Sequence, residues 1–473
     1  MSERSSETRG SVFDQNWIQE RLETALRAVG DGCDDVEALF RGQEGNHVRL
    51  AESAIVQASQ VVEGKITVRA VIDGRSARAT TSDLTDEGLA ACARAAQDRA
   101  ASAPPAKEAV ELPAPLEVPS GVEGAVDRQT AWMTAETKER WLSEALQAHR
   151  TDDLALAGRF HPGLMTVAVA STRGVNTYHQ GSWSDLALSA LERPAGHRAS
   201  SFRARFDARV DQEMIHHLQE EVRHECHRAH DPIEVDPGAW DVVLSPVAVA
   251  ELMEWMGGIA FCSQSMEDGT SFIHGRQGER VTGEAISITD DASMPGGVGV
   301  SVPFDVEGLP KRRVSLVEDG IARGIVHDTT SGRRAGCQST GHAQVDDNFA
   351  SNGSSAAHLH MAPGEATVAE LVGQVKRGLF ITRLHYVNGM LEPRRAVMTG
   401  LLRDGAFMIE DGRLGQAVRP LRFTDSMLEA FSRVPGKGGI SRDLEAHTTW
   451  FGPQACTVVP SVLIPGLRFT SGR

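Results

Sequence analysis

The sequence lacks cysteine at any spacing that suggests a metal site or a redox pair. Cys33, Cys92, Cys226, Cys262, Cys337 and Cys456 are scattered, with no CxxC and no zinc-ribbon spacing. Scattered thiols in a long chain predict a reducing compartment. No stretch approaches the roughly 18 consecutive apolar residues of a membrane span, and the first ten residues hold no apolar core of a secretory signal. Together these absences predict a cytoplasmic protein. Tyrosine is scarce, with 2 Tyr against 46 Gly, so a base-stacking aromatic platform is not prominent. Gly-x-Ser-x-Gly and Gly-x-x-x-x-Gly-Lys-Ser/Thr are both missing, which removes the nucleophile elbow and the P-loop from consideration.

What is present is the composition of a globular protein. The chain has 473 residues, 41% hydrophobic and 24% charged, which excludes a wholly disordered polymer. At roughly 150 residues per domain this length predicts two or three domains. Acidic residues outnumber basic ones, 64 to 48, for a net charge of −16. Such a surface repels phosphate backbones, so nucleic acid is not an expected partner.

Patterning divides the chain further. Residues 1–12 are polar and expected to be disordered. Ile18, Leu22, Ala25 and Val29 recur at helical spacing, and Gly30 and Gly32 end the run. Short strands are expected at 36–40 and 47–51. Ile66, Val68, Ala70 and Ile72 alternate before Asp73-Gly74, a hairpin signal. An Ala-rich helix follows over 86–101. Five prolines between 104 and 119 predict an extended linker. Beyond it the pattern predicts a helix over 134–149, strands at 154–160 and 166–171, a turn at Thr172-Arg173-Gly174 and a polar helix over 210–229. After Asp236-Pro237-Gly238 come a strand at 241–244, a helix opened by Pro246, and then mainly strands and turns. Asp319-Gly320, Asp404-Gly405 and Asp411-Gly412 each separate runs able to pair as hairpins. The expected architecture is α+β: an N-terminal α/β unit (13–102), a central α+β unit with a proline-rich entry (103–236) and a mostly β C-terminal unit (237–473).

Several stretches invite a chemical reading. His216, His217, His224, Glu225, Cys226, His227 and His230 crowd one helix. Zinc peptidases use His-Glu-x-x-His, but here Arg228 occupies the position of the second histidine, so a solvated polar helix face is the favoured reading. Gly296-Gly297-Val298-Gly299 resembles a dinucleotide loop only superficially and reads as a surface loop. Cys337 and Cys456 near His342 and His447 in sequence read as structural thiols. Three Gly-containing polar stretches remain: 303–310 with Asp305 and Glu307, 337–343 with Ser339 and Thr340, and 398–405 with Arg403 and Asp404. Glycine permits close backbone approach and paired acids with arginine can hold a charged ligand; turns with Asx-type hydrogen bonds are the plainer alternative.

These stretches, with residues 66–75, 171–175, 269–273 and 278–281, resemble the TldD/PmbA family, metallopeptidases once described as modulators of DNA gyrase. The resemblance runs from about Phe13 to Phe469. It implies three units and two kinds of chain that pair. The TldD kind carries a His-Glu-x-x-x-His helix whose zinc is completed by a cysteine near the C-terminus. The TldE (PmbA) kind lacks that motif and serves as its partner, and the pair holds a peptide or unstructured segment in an enclosed cavity. The corresponding helix here, Ala248 to Ile259, has no histidine. Glu251 and Glu254 alone make a poor zinc site, and Cys456 lies too close to the final strand to carry over the ligand role. The resemblance therefore implies a TldE-like chain without metal or cofactor of its own, a zinc-bearing TldD-type partner, a peptide substrate, and Asp305, Glu307, Ser339, Thr340, Arg403 and Asp404 as cavity candidates. Two alternatives stay open: a self-sufficient metallopeptidase using His327, His342, His358, His360 or His385, and a non-catalytic homodimeric binding protein.

Overall fold

The computed structural model describes residues 11–30, 32–105, 108–118, 125–150, 153–193, 199–293, 297–345, 353–449 and 452–472. The polar N-terminal stretch lies largely outside them, and so does Gly296.

Helix α1 (Gln15–Arg27) is capped by the Asp14 side chain, which accepts from Trp17 N–H, and buries Ile18, Leu22 and Ala25. Strands β1 (Asp35–Ala51), β2 (Ala54–Ile72) and β3 (Arg75–Thr81) follow, then α2 (Asp86–Ser102) with Thr85 as its cap. The Asp73-Gly74 hairpin between β2 and β3 forms as expected. After the linker come α3 (Arg128–Ala131), α4 (Ala135–Arg150), β4 (Leu154–Ser171), β5 (Asn176–Glu192), β6 (Ser200–Asp207) and α5 (Gln212–Arg228).

The two short strands expected at 36–51 are one strand of 17 residues, and those at 154–171 are one strand of 18. Glycines inside these runs imitate breaks. Their cause is close packing: a Cβ on Gly163 would stand 2.4 Å from the Glu44 carbonyl oxygen on the neighbouring strand. All six strands form a single antiparallel sheet in the order β3-β2-β1-β4-β5-β6. The expected boundary at 102/103 therefore does not separate two sheets, because β1 pairs with β4 from Glu37↔Ser171 to Leu50↔Gly158.

Strand β7 (Gly238–Leu244) and helix α6 (Pro246–Ala260) open the C-terminal region, with Pro246 in the first helical turn. An eight-stranded sheet holds, in spatial order, Leu384–Glu392, Val397–Leu402, Leu421–Ser426, Val462–Gly472, β7, Arg377–Ile381, Ala406–Glu410 and Arg413–Ala417. A six-stranded sheet holds Ile321–Ala322, Val314–Glu318, Ile288–Asp290, His358–Met361, Gly452–Val459 and Glu445–Thr449. Helix α6 packs against strands of both, and its Val249, Leu252, Met253 and Met256 sit in the C-terminal core. The fold is mixed α+β. Asp319-Gly320 and Asp411-Gly412 close hairpins as expected. Asp404-Gly405 does not: four other strands lie between the strands on either side of it in the sheet. Local turn chemistry was legible there, but the pairing partner was decided by the sheet as a whole. No described helix is long and apolar enough to cross a membrane.

Gly163→Ala is expected to destabilise the protein by about 1–3 kcal/mol, the usual cost of overpacking, read as a lower urea midpoint. An unchanged midpoint would show that β1 and β4 can separate to admit a methyl group.

Candidate functional site in a charged cavity

One row of side chains crosses the N-terminal sheet: Glu37 on β1 pairs in register with Arg69 on β2, which pairs with Arg78 on β3. The sequence pattern identifies one apolar face of β2, where Ile66, Val68 and Ala70 meet the core beneath α1 and α2. The opposite face is buried as well. Thr67, Arg69 and Val71 lie there at 3%, 6% and 1% exposure, because the C-terminal region packs over them.

The covering segment is 303–310, and its Glu307 is 3% exposed. Arg69 Nη1 donates to Glu307 Oε1 at 3.0 Å. Glu307 Oε2 accepts from Thr329 N–H at 3.1 Å, in the first turn of α7 (Thr329–Arg334). Asp305 shapes the loop that presents Glu307. Its Oδ1 accepts from the N–H groups of Glu307 and Leu309, both at 3.0 Å, and its Oδ2 from Ala343 N–H at 2.8 Å. Gly308, at φ +73°, has no room for a side chain, since a Cβ would meet Val175 Cγ1 at 2.4 Å. The segment is thus pressed onto the sheet.

Beside the ion pair lies a cavity of about 260 Å³, whose charged walls are Arg69, Arg78, Arg334, Glu267, Glu307 and Asp328. Val110 of the proline-rich linker completes it. The described linker residues 108–118 hold no helix or strand, and the segment is strapped down. Val110 N–H donates to the Gly74 carbonyl at 2.7 Å, and Arg333 Nη2 to the Ala109 carbonyl at 2.6 Å. Asp328 caps α7 through Oδ1, which accepts from Ser331 N–H at 2.6 Å, while Ser331 Oγ accepts from Asp328 N–H. Burial pushes the Glu37 carboxyl up to about 7, with Arg69 opposing and Glu307 reinforcing the shift. Burial, then repulsion from Arg69, brings the Arg78 guanidinium down to about 10. Burial and the adjacent Glu307 hold Asp305 well above the usual carboxylate range.

The structure does not gather the six expected cavity residues. Glu307 lines the cavity and Asp305 supports it. Ser339 and Thr340 instead hold His327: both hydroxyls donate to its carbonyl, at 3.2 and 3.0 Å. Arg403 and Asp404 lie elsewhere. Asp404 accepts from Arg383 Nη1 at 2.8 Å and from Ser200 Oγ at 2.9 Å, tying its turn to β6, and Arg403 Nη1 stands 2.6 Å from His385 Nε2. Arg69, Arg78, Asp328 and Arg334 were missed. A charged residue within the alternation of β2 was the available signal for Arg69. Asp328 announced itself only as a helix cap.

The histidines occupy separate settings. His342 Nδ1 is 2.9 Å from the Thr340 carbonyl and Nε2 is 2.8 Å from Asp290 Oδ1. Burial pushes Asp290 up, but His342 outweighs it and pulls the carboxyl below its ordinary range. His358 Nδ1 meets Lys311 Nζ at 3.1 Å. On α5, the exposed His217 and His224 stand beside Glu221 and Glu220 at 3.6 and 3.9 Å, one turn away. Glu225 turns to Arg203, so this helix carries a solvated polar face, as read. Among the described residues no three His, Cys, Asp or Glu side chains are grouped to hold a metal ion.

Zinc does not fit the donors on α6. Glu251 and Glu254 are half-buried along one stripe with Trp255. Burial raises both carboxyls, Arg383 opposes the shift on Glu251, and Glu251 raises Glu254 further. No imidazole accompanies them. Cys456 sits in the six-stranded sheet with its thiol 3.5 Å from the Val300 carbonyl, and burial pushes it up to about 12, far from the thiolate zinc requires.

Replacing Arg69 or Glu307 alone with an apolar residue is expected to cost about 3–5 kcal/mol, while the R69M/E307L double variant recovers most of the loss. Chemical denaturation checks this, and additive losses would overturn it. The Glu37 carboxyl titrates higher in the folded protein than in the unfolded chain. Its contribution is therefore present in full below about pH 4.5 and is lost as pH rises through about 7. Glu37→Gln should flatten that decline, measured as stability against pH.

Comparison with known proteins agrees with this geometry. The profile of the PmbA/TldA metallopeptidase C-terminal domain matches residues 237–471, and that of domain 1 matches residues 36–100. A "Metalloprotease" of Methanothermobacter thermautotrophicus is 22% identical over 42% of this chain and 43% of its own. A "Metalloprotease TldD homolog" of Haemophilus influenzae is 25% identical over 35% and 33%. The chain thus spans less than half the length of these curated relatives. The crystal structure of TldE from Thermococcus kodakarensis superposes with a TM-score of 0.80 at 17% identity, covering 96% of this chain and 100% of that one. A structure from Thermotoga maritima, described as a putative modulator of a DNA gyrase, gives 0.76 at 18% identity over 96% and 100%. The chain belongs to the PmbA/TldD metallopeptidase family.

Proposed function

We propose that this chain is the TldE-like subunit of a TldD/TldE-type heterodimeric zinc metallopeptidase that cleaves peptides or unstructured segments. The observation that carries this reading is helix α6. It lies where the resemblance puts the zinc helix, yet it offers two carboxyls that burial favours in protonated form and no imidazole. The partner then supplies the zinc and its activated water. This chain carries no cofactor and contributes the enclosing wall, with the C-terminal unit 237–473 packed on the N-terminal sheet through Glu307. The superposition on TldE supports the same assignment. An extended substrate adds readily to such strand-rich walls through main-chain hydrogen bonds. The acid excess and the absence of apolar spans favour a cytoplasmic complex without nucleic acid.

The self-sufficient alternative relies on His327, His342, His358, His360 and His385. Three of these are already committed to local partners: His342 to Asp290, His358 to Lys311 and His385 to Arg403. The homodimeric binding protein remains the second outcome of the same experiment.

The purified chain is expected to show no chelator-sensitive peptide hydrolysis, and to form a one-to-one complex with a zinc-bearing TldD-type subunit that does. Hydrolysis by the chain alone, with one tightly held zinc, would sink the proposal. A stable dimer of the chain that ignores such a partner would favour the binding protein.

A further inference from the structure

We propose that the groove between residues 276–281 and the short helix Met427–Ser432 binds a small multivalent oxyanion, a phosphate or polycarboxylate compound without an aromatic ring. This goes beyond the peptidase partnership, because the groove belongs to this chain alone.

Composition is the first argument. The groove encloses about 460 Å³, within the roughly 300–1,000 Å³ of small-molecule sites. Among the described residues its walls carry four guanidinium groups, on Arg276, Arg280, Arg395 and Arg433, and one carboxylate, on Glu429. In a chain of net charge −16 this is a local reversal of the field, which draws an anion inward. Guanidinium forks pair bidentately with phosphate and carboxylate oxygens. No aromatic ring lines the groove among the described residues, so a nucleobase finds no stacking surface there.

Placement is the second argument. Residues 276–281 lie against the Asp319-Gly320 hairpin. Val281 N–H donates to the Gly320 carbonyl at 2.8 Å, and Ala322 N–H to the Glu279 carbonyl at 2.9 Å. The approach is close: a Cβ on Gly320 would meet the Thr282 carbonyl oxygen at 2.4 Å. Arg280 Nη1 donates to the Asp319 carbonyl at 2.9 Å, and Arg276 Nη2 to the Arg280 carbonyl at 3.1 Å. On the helix side Arg433 Nε donates to the Pro465 carbonyl at 2.6 Å, and Nη2 to Asp425 at 2.8 Å. Guanidinium groups tethered in this way lose little freedom when a ligand arrives.

Glu429 supplies the third argument, because it shows what these arginines accept. One of its oxygens takes Arg395 Nη2 at 2.8 Å, and the other takes Arg468 Nη2 at 3.4 Å. The hydrogen bond from Arg395 holds the Glu429 carboxyl below its usual range. Arg280 is held by a neutral carbonyl, and Arg276 by a carbonyl and by the exposed Glu279, 3.5 Å away. A ligand oxyanion at Arg276 and Arg280 repeats the arrangement that Glu429 makes with Arg395 and Arg468.

The test uses the full chain alone, titrated calorimetrically at constant ionic strength with pyrophosphate, citrate, acetate and ADP. Pyrophosphate or citrate is expected to give saturable binding at one site, tighter than acetate by about tenfold or more. Preference for pyrophosphate assigns a phosphate ligand, and preference for citrate a polycarboxylate. ADP is expected to bind no more tightly than pyrophosphate. Arg276→Gln and Arg280→Gln should each weaken binding about tenfold. Glu429→Gln should strengthen it, because an opposing charge is removed. Arg27→Gln, which removes an exposed charge on α1, should leave it unchanged. Thermal melting of each variant separates a lost site from a lost fold, and a gain in Glu429→Gln requires a folded chain. The proposal is overturned if no saturable heat appears up to about 10 mM pyrophosphate or citrate, or if acetate binds as well. It is also overturned if ADP binds more tightly than pyrophosphate, if Arg27→Gln weakens binding as much as Arg280→Gln, or if Glu429→Gln weakens it. Because no partner or zinc is involved, none of these outcomes bears on the heterodimer reading.

Discussion

The ion pair between Arg69 and Glu307 is the constraint on which the remaining structure turns. Both groups are almost fully removed from water, and each ion so buried costs several kcal/mol unless its neighbours compensate. Here they do. Glu307 also receives Thr329 N–H at the start of α7, and Arg69 lies among Glu37, Glu307 and Asp328. The pair links a strand of the N-terminal sheet to a loop of the C-terminal region 238 positions later. A slip of either partner would strand a charge, so the two bodies dock in one arrangement.

The loop bearing Glu307 is built to that end. Asp305 spends both carboxylate oxygens on backbone N–H groups, and Gly308 gives the backbone the clearance to reach the sheet. The segment read as a cavity candidate also docks the C-terminal region on the sheet. The cavity beside it inherits its polarity from the same device, because charges assembled to join two surfaces also line the space those surfaces leave. On α6 the opposite holds. Burial raises both Glu251 and Glu254 there, Arg383 only partly offsets the shift on Glu251, and the helix carries no imidazole.

Particular residues show how far the sequence could be read. The stripe of α1, the helix over 86–101 and the Asp73-Gly74 hairpin were legible, because each depends on contacts within a few residues. Strands β1 and β4 were read as broken because Gly42, Gly45, Pro162 and Gly163 are usual strand breakers. At Gly45 and Gly163 the reason was across the sheet, where the neighbouring backbone approaches too closely for a side chain, and Gly42 leaves room for the rings of Phe40 and Phe13. Arg403 and Asp404 shared polarity with Glu307 but not location, since the turn they occupy joins strands that are not neighbours. Ser339 and Thr340 were spent on the backbone of His327.

The amino-acid sequence by itself determined the α+β class, the order of helices and hairpins, the missing histidine on α6 and, through the order of several weak segments, the family. These follow from local periodicity, turn chemistry and residue identity. Tertiary structure alone decided that strands on both sides of the proline-rich linker share one sheet, and that both faces of β2 are buried. It also decided that Arg69 meets Glu307. Those outcomes depend on contacts between residues far apart in the chain, and the energy of burying a charge depends on partners that no local pattern names.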